Sequence, residues 1–288
     1  MNGILLGNRE ARDSGFSIHR DKETFVLQEY IARFRKLRSD NATGRWTALT
    51  NRRAPHKPLL LLAMMDGFAE GIIAHNCIGP TPELVELFTL YWSKVTRPEQ
   101  RSSMAYPFFH LSGDGFWHLE AQPGKEAVLA ATRHIRSMSQ LREIVRCARL
   151  DDALYALLCV DTTRNLLRTA LIETYFASEV QPVLVEQGSI NVEVFRYSQE
   201  LLEQARNQNI KDGQEDDERY RPVVRDQAFR RAVILAYSHR CAVCGLRIIT
   251  ADGHIAVDAA HIVPWSLSHN DDPRNGMALC RLRRAVLG

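Results

Sequence analysis

The sequence predicts an α+β protein with a mainly helical N-terminal domain, a small β-hairpin within it, and a separate C-terminal module. Apolar residues recur at helical spacing through much of the first two thirds of the chain. Two short aromatic runs, Tyr106 to Leu111 and Phe116 to Leu119, flank the turn-forming Ser112-Gly113-Asp114-Gly115. Beyond a polar stretch at Asn207 to Arg219 the chain carries Cys241-Ala-Val-Cys244, a pattern foreign to the rest.

The elements follow in order. Residues 1–23 show no periodicity and read as a tail. Phe25, Ile31, Phe34 and Leu37 share one face of a helix from Thr24 to Leu37. Ser39 to Pro55 is a polar loop, and Pro58 opens an apolar helix that Gly71 ends. Thr81-Pro82 starts a further helix with Leu84, Leu87, Phe88 and Tyr91 inward. After the hairpin come helices at Glu126 to Arg136, Ser139 to Cys147, Asp151 to Leu158 and Asp161 to Phe176, the last capped by Asp161-Thr162-Thr163. Val192 to Ala205 forms a connecting helix. This gives an N-terminal domain at 24–185, a linker at 186–220 and a C-terminal module at 221–288.

The 288 residues hold 37 Lys and Arg against 34 Asp and Glu, a net charge of +3. A globally basic nucleic-acid binder is therefore not evident, and charge placement matters more. Arg45, Arg52, Arg53, His56 and Lys57 lie in a stretch with no acid. Arg133, His134, Arg136, Arg142, Arg146 and Arg149 form a second basic series, expected on exposed helix faces. No run of eighteen apolar residues predicts a membrane span, and the N-terminus lacks signal-peptide order. A cytoplasmic protein is expected. No P-loop, dinucleotide motif or serine elbow points to ATP-driven, redox or acyl-transfer chemistry.

Of six cysteines, Cys77, Cys147 and Cys159 stand singly and read as buried free thiols. Cys241 and Cys244 can face one tetrahedral zinc from a tight turn, and Cys280 offers a third thiolate. A redox pair is the other reading of Cys-x-x-Cys, but no thioredoxin-like pattern surrounds it. Between them lie Val257-Asp-Ala-Ala-His261-Ile-Val-Pro264 and Asp271-Asp-Pro-Arg-Asn275-Gly-Met-Ala-Leu-Cys280.

These ordered features resemble the HNH endonuclease family, in the branch found in McrA-like restriction proteins. The resemblance implies a ββα-metal fold with structural Zn2+ on Cys241, Cys244 and Cys280. It implies His261 as general base at the end of the first strand, and Asn275 orienting the loop or metal site. It also implies a catalytic Mg2+ or Mn2+. Ala260 stands where many members carry a metal ligand, and alternation puts Asp258 on the face opposite His261. His254 and His269 are read as loop residues or stand-in ligands. The family pattern continues with Cys and His where this chain has Arg283 and Arg284, and arginine has no free lone pair for zinc. The module is thus expected to be C-terminally incomplete, as from a gene truncated or frameshifted near codon 283, with its fourth zinc ligand missing. Whether it is an active enzyme stays open.

The N-terminal motifs His56-Lys57-Pro58, Tyr106-Pro107-Phe-Phe-His110 and Asp114-Gly-Phe-Trp117 are similar to the sulfur-binding domain of type IV restriction endonucleases that recognise phosphorothioate-modified DNA. The resemblance implies that Tyr106, Pro107 and His110 form an apolar cup for sulfur. Described members are expected to carry a small residue where this chain has His110. Arg52, Arg53, His56 and Lys57 would meet phosphates or base edges. Trp92 and Trp117 are read as core. The expected function is a modification-dependent DNA restriction endonuclease, with phosphorothioate-modified double-stranded DNA as partner and homodimerisation open. Two other readings stay open: a non-catalytic DNA-binding remnant, and an HNH nuclease that reads another DNA feature.

Overall fold

The computed structural model describes residues 23–42, 44–97, 99–100, 102–207 and 219–281. Residues 1–22 of the proposed tail and the Arg283 and Arg284 positions lie outside these, and residue 23 already opens α1. The elements are α1 (23–34), α2 (His56–Ala69), α3 (Pro82–Val95), α4 (Ala105–His110), β1 (Trp117–Ala121), α5 (Glu126–Ala131), α6 (Met138–Ile144) and β2 (Val145–Leu150). They continue with α7 (Asp152–Cys159), α8 (Asp161–Tyr175), α9 (Gln181–Arg206), α10 (Pro222–Ala236), β3 (Val257–His261), α11 (Trp265–Ser268) and β4 (Gly276–Cys280). The α+β class holds, with two separate two-stranded antiparallel sheets. No helix among the described residues is long and apolar enough to cross a membrane.

Helix α2 is the axis of the first core. Leu59 through Met65 are fully enclosed, as a helix apolar on every side must be. Its one buried acid, Asp66, accepts hydrogen bonds from Tyr91 Oη (2.8 Å), Asn191 Nδ2 (2.6 Å) and Arg168. That network joins α2 to α3, α8 and α9 and satisfies the carboxylate in the interior, where an unpaired charge is costly. Helix α3 starts at Thr81-Pro82 as expected, and Thr81 caps it by accepting from Leu84 N–H.

Several sequence expectations are corrected. Tyr106 to Leu111 is not a strand but helix α4 running into a 3-10 turn. Pro107 has no N–H for a ladder, whereas the first turn of a helix needs none there. The partner of β1 is therefore β2, with Trp117 opposite Leu150 and His118 opposite Arg149. The helix expected to reach Cys147 ends at Ile144, where Val145 enters the strand. The helix expected to reach Arg136 stops at Ala131, and no Gly or Pro announces the stop. Cys77 and Cys147 are not free thiols but a disulfide joining positions 70 apart, and Cys159 is exposed. The caps expected on α8 are used differently. Thr163 donates to the Val160 carbonyl, and Asp161 pairs with Arg164.

Helix α9 has 26 residues, about 39 Å at 1.5 Å per residue. Its start packs on the first core through Leu184. Its later turns supply Ile190, Val194, Tyr197 and Leu201 to a second core with Val224, Phe229 and Val233 of α10 and with the β3–β4 pair. The 185/186 boundary falls inside this helix. A seam of charge also joins the two cores. Arg230 of α10 pairs with Glu86 of α3 (2.5 Å) and Asp258 of β3 (2.9 Å). Arg231 meets buried Glu70 (3.2 Å), and His239 meets Glu83 (3.4 Å).

Gly276 sets how closely β4 approaches α10. A Cβ there would lie 2.2 Å from Val233 Cγ2 and 3.0 Å from Phe229 Cζ. Gly276→Ala is expected to destabilise the C-terminal module by about 1–3 kcal/mol through overpacking. Urea denaturation followed by Trp265 fluorescence measures it; an unchanged midpoint would show that α10 shifts freely.

Candidate functional site

In the C-terminal module, Cys241 to Leu246 forms a knuckle. Cys241 N–H donates to the Leu246 carbonyl (3.0 Å), Gly245 N–H returns to the Cys241 carbonyl (2.8 Å), and Gly245 takes a left-handed φ of 68°. Ala242 N–H donates to Ala278, which ties the knuckle to β4. The thiols of Cys241, Cys244 and Cys280 lie within 4.8 Å of one another. Burial pushes the Cys241 thiol up, but backbone N–H donors at Cys244, Cys280 and Val243 bring it down to about 6. Three converging sulfurs, two on a fixed turn and one at the end of β4, fit a zinc ion. His254 and His269 do not join them. His254 Nε2 lies 3.4 Å from Thr89 Oγ1, and the His269 ring packs on Trp265.

His261 is the last residue of β3, opposite Gly276. Its ring lies flat on Phe229 of α10, with centroids 3.8 Å apart and planes 3° from parallel. Its Nε2 is 3.0 Å from Asp271 Oδ1. Asn275 braces the intervening loop. Its Oδ1 accepts from Val263 N–H (2.9 Å), and its Nδ2 donates to the carbonyls of Val263 (3.0 Å) and Asn270 (3.1 Å). These contacts serve the loop, one of the two roles that the resemblance implies for Asn275. Asp258 is held by Arg230, and Asp272 by Arg274. Phe229 and Asp271 were not anticipated. The Asp271-Asp272-Pro273 run was visible, but nothing local tied it to His261.

In the N-terminal domain the structure draws the motif residues together. Tyr106 and His110 sit one turn apart on α4 with ring centroids 4.4 Å apart. Tyr106 is 53% exposed, while Pro107 is buried beneath it. His56, at the start of α2, packs on Trp92 (4.6 Å), Trp46 (5.2 Å) and Tyr106 (6.0 Å). Trp92 is core, as read, but also lines this cluster. Trp46 was missed because its loop has no periodicity. Arg52 and Arg53 are exposed beside the cluster in sequence and make no ion pair among the described residues. Lys57 turns inward to a buried pair with Asp114 (2.5 Å), whose other oxygen accepts Arg38 N–H.

Both imidazoles of the cluster are biased to the neutral form. Burial, with Arg45 adding and Asp40 opposing, takes His56 down to about 4. Burial, then Lys57 and His134, lowers His110. A free histidine titrates near 6.5, so unfolded chains gain a proton before the fold does. The His56 contribution is full above pH 6.5 and is lost as pH falls toward 4, by at most about 3 kcal/mol. Denaturation between pH 7.5 and 4 is expected to show this decline, and His56→Gln to flatten it. Equal slopes in both proteins would assign the decline elsewhere.

The aromatic cluster near exposed arginines, and the three-thiol knuckle beside a histidine-bearing strand pair, fit what the sequence resemblances imply, a DNA-binding domain and an HNH module. Family comparison agrees: residues 28–191 match the ScoMcrA-like DNA sulfur-binding domain, and residues 241–282 match the HNH endonuclease family. The first match spans more than half the chain, which belongs to the ScoMcrA-like DNA sulfur-binding domain family. None of the curated proteins matches it.

Proposed function

We propose that the chain is a phosphorothioate-directed DNA endonuclease acting in restriction. The observation that carries this is one chain holding both a sulfur-binding-domain match and a His261 fixed at the end of β3 inside an HNH match. Sulfur in place of a phosphate oxygen is larger, more polarizable and less hydrated. A neutral cup of Tyr106 and His110 over buried Pro107 would therefore favour it, with His56 behind and the exposed Arg52 and Arg53 supplying positive charge, while Lys57 stays paired with Asp114. In cleavage, a water attacks phosphorus, His261 takes its proton, and the P–O bond to the leaving sugar oxygen breaks. Zn2+ would hold the fold through Cys241, Cys244 and Cys280. A divalent ion such as Mg2+ or Mn2+, when bound, would stabilise the charge on the leaving oxygen. The described residues offer no complete hard-cation cluster beside His261.

The test is a pair of duplexes alike except for sulfur at one phosphate. Tighter binding of the sulfur duplex by about tenfold, or ~1.4 kcal/mol, is expected. Equal affinity would sink the sulfur reading. A binding-only protein is the second reading, favoured because Asp258 and Asp272 are already paired with arginines. Nicking of sulfur-bearing plasmid with Mg2+ or Mn2+ would exclude it.

A further inference from the structure

We propose that Asp271 is a positioning residue that fixes the tautomer of His261, leaving Nδ1 as the nitrogen that takes the proton. This rests on the nuclease reading above for its catalytic consequence, but not for its structural content.

A carboxylate only accepts hydrogen bonds. Asp271 Oδ1 stands 3.0 Å from His261 Nε2, so the neutral ring must carry its proton there. The lone pair then resides on Nδ1. The Asp271 side chain is 9% exposed and that of His261 22%, so water competes weakly for this contact. Two further features keep the ring from turning away. Phe229 covers one face at 3.8 Å in near-parallel stacking, and Phe229 is itself buried. Asn275 closes the loop that carries Asp271, through its bonds to Val263 and Asn270. Asn275 N–H also donates to the Asp272 carbonyl (2.8 Å), and Ile262 N–H to the Asn275 carbonyl (2.7 Å). Asn275 thus acts on His261 at one remove, by holding the carboxylate that holds the ring. A base whose proton sits on the wrong nitrogen loses its function even with its position intact, which is why such second partners carry large kinetic effects.

The experiment uses the full chain labelled with 15N-histidine, with the His261 signals assigned by their loss in His261→Gln. Long-range 1H–15N spectra at pH 8 are expected to show the Nε2–H form in the wild type. Asp271→Ala should give a mixture of both forms, and Asp271→Asn, whose amide oxygen can still accept, should retain mostly Nε2–H. A wild-type ring protonated at Nδ1, or a spectrum of Asp271→Ala identical to wild type, would overturn the proposal. In the nicking assay, Asp271→Ala is expected to lower kcat about 10–100-fold with KM for DNA unchanged. A wild type that does not nick would remove the nuclease reading alone, since the spectra still decide the tautomer.

Discussion

Chelating the zinc proposed for the three-cysteine cluster is expected to unfold the segment from Cys241 to Cys280 while the N-terminal helices stay protected. The reason is the size of what remains. Around the thiols the packed residues are Leu279, Ala260 and Met277, with the cysteines themselves, and of the fully buried apolar residues of this segment only Val257 and Ala278 reach the second core. Such a cluster is too small to offset the ordering entropy of forty residues. Structural zinc supplies about 10–16 kcal/mol in small finger domains, comparable to the whole stability of an ordinary domain. The first core, by contrast, is built around α2 and contains none of these cysteines. Hydrogen exchange with and without a strong chelator measures the effect segment by segment. Unchanged protection across β3 and β4 would show that the thiols contribute only packing. Cys280→Ser should reproduce the chelated pattern.

The second large effect is on chemistry. His261→Ala is expected to lower plasmid nicking by about 10²–10⁴-fold, the usual range for a lost general base. Affinity for sulfur-bearing duplex should stay within about twofold, because the aromatic cluster at His56, Tyr106 and His110 belongs to the other core. The ring removed also covers Phe229, so the variant should lose some stability and must be assayed well below its melting temperature. Retained nicking would assign the base elsewhere. A parallel loss of binding would mean that His261 contributes to DNA affinity instead.

Much of this was legible in local sequence. The Thr81-Pro82 start, the apolar run of α2, the Cys-x-x-Cys knuckle and the His261 and Asn275 motif are all short-range chemistry, and each stands where the sequence puts it. What escaped depends on partners far along the chain. Tyr106 to Leu111 has the residue types of a strand, but Pro107 and the pairing of β1 with β2 decide otherwise. The Cys77–Cys147 bridge needed the two positions to be neighbours in space, which single cysteines in unlike contexts do not announce. The ring-to-carboxylate contact of His261 and Asp271 spans ten residues of irregular loop, where no periodicity operates. Lys57 looked free in an acid-free stretch, yet its counter-ion Asp114 lies 57 positions away.

The ionic seam carries one more consequence. Helix α3 touches the cluster proposed to read DNA through Trp92, and the strand pair of the C-terminal module through Glu86 and Arg230. A loosely leashed blade would cut anywhere within reach of its leash, scattering breaks around each modified phosphate. Two modules clamped to one helix would act as a ruler, and breaks mapped by sequencing would fall in a narrow band at a set number of nucleotides from the sulfur.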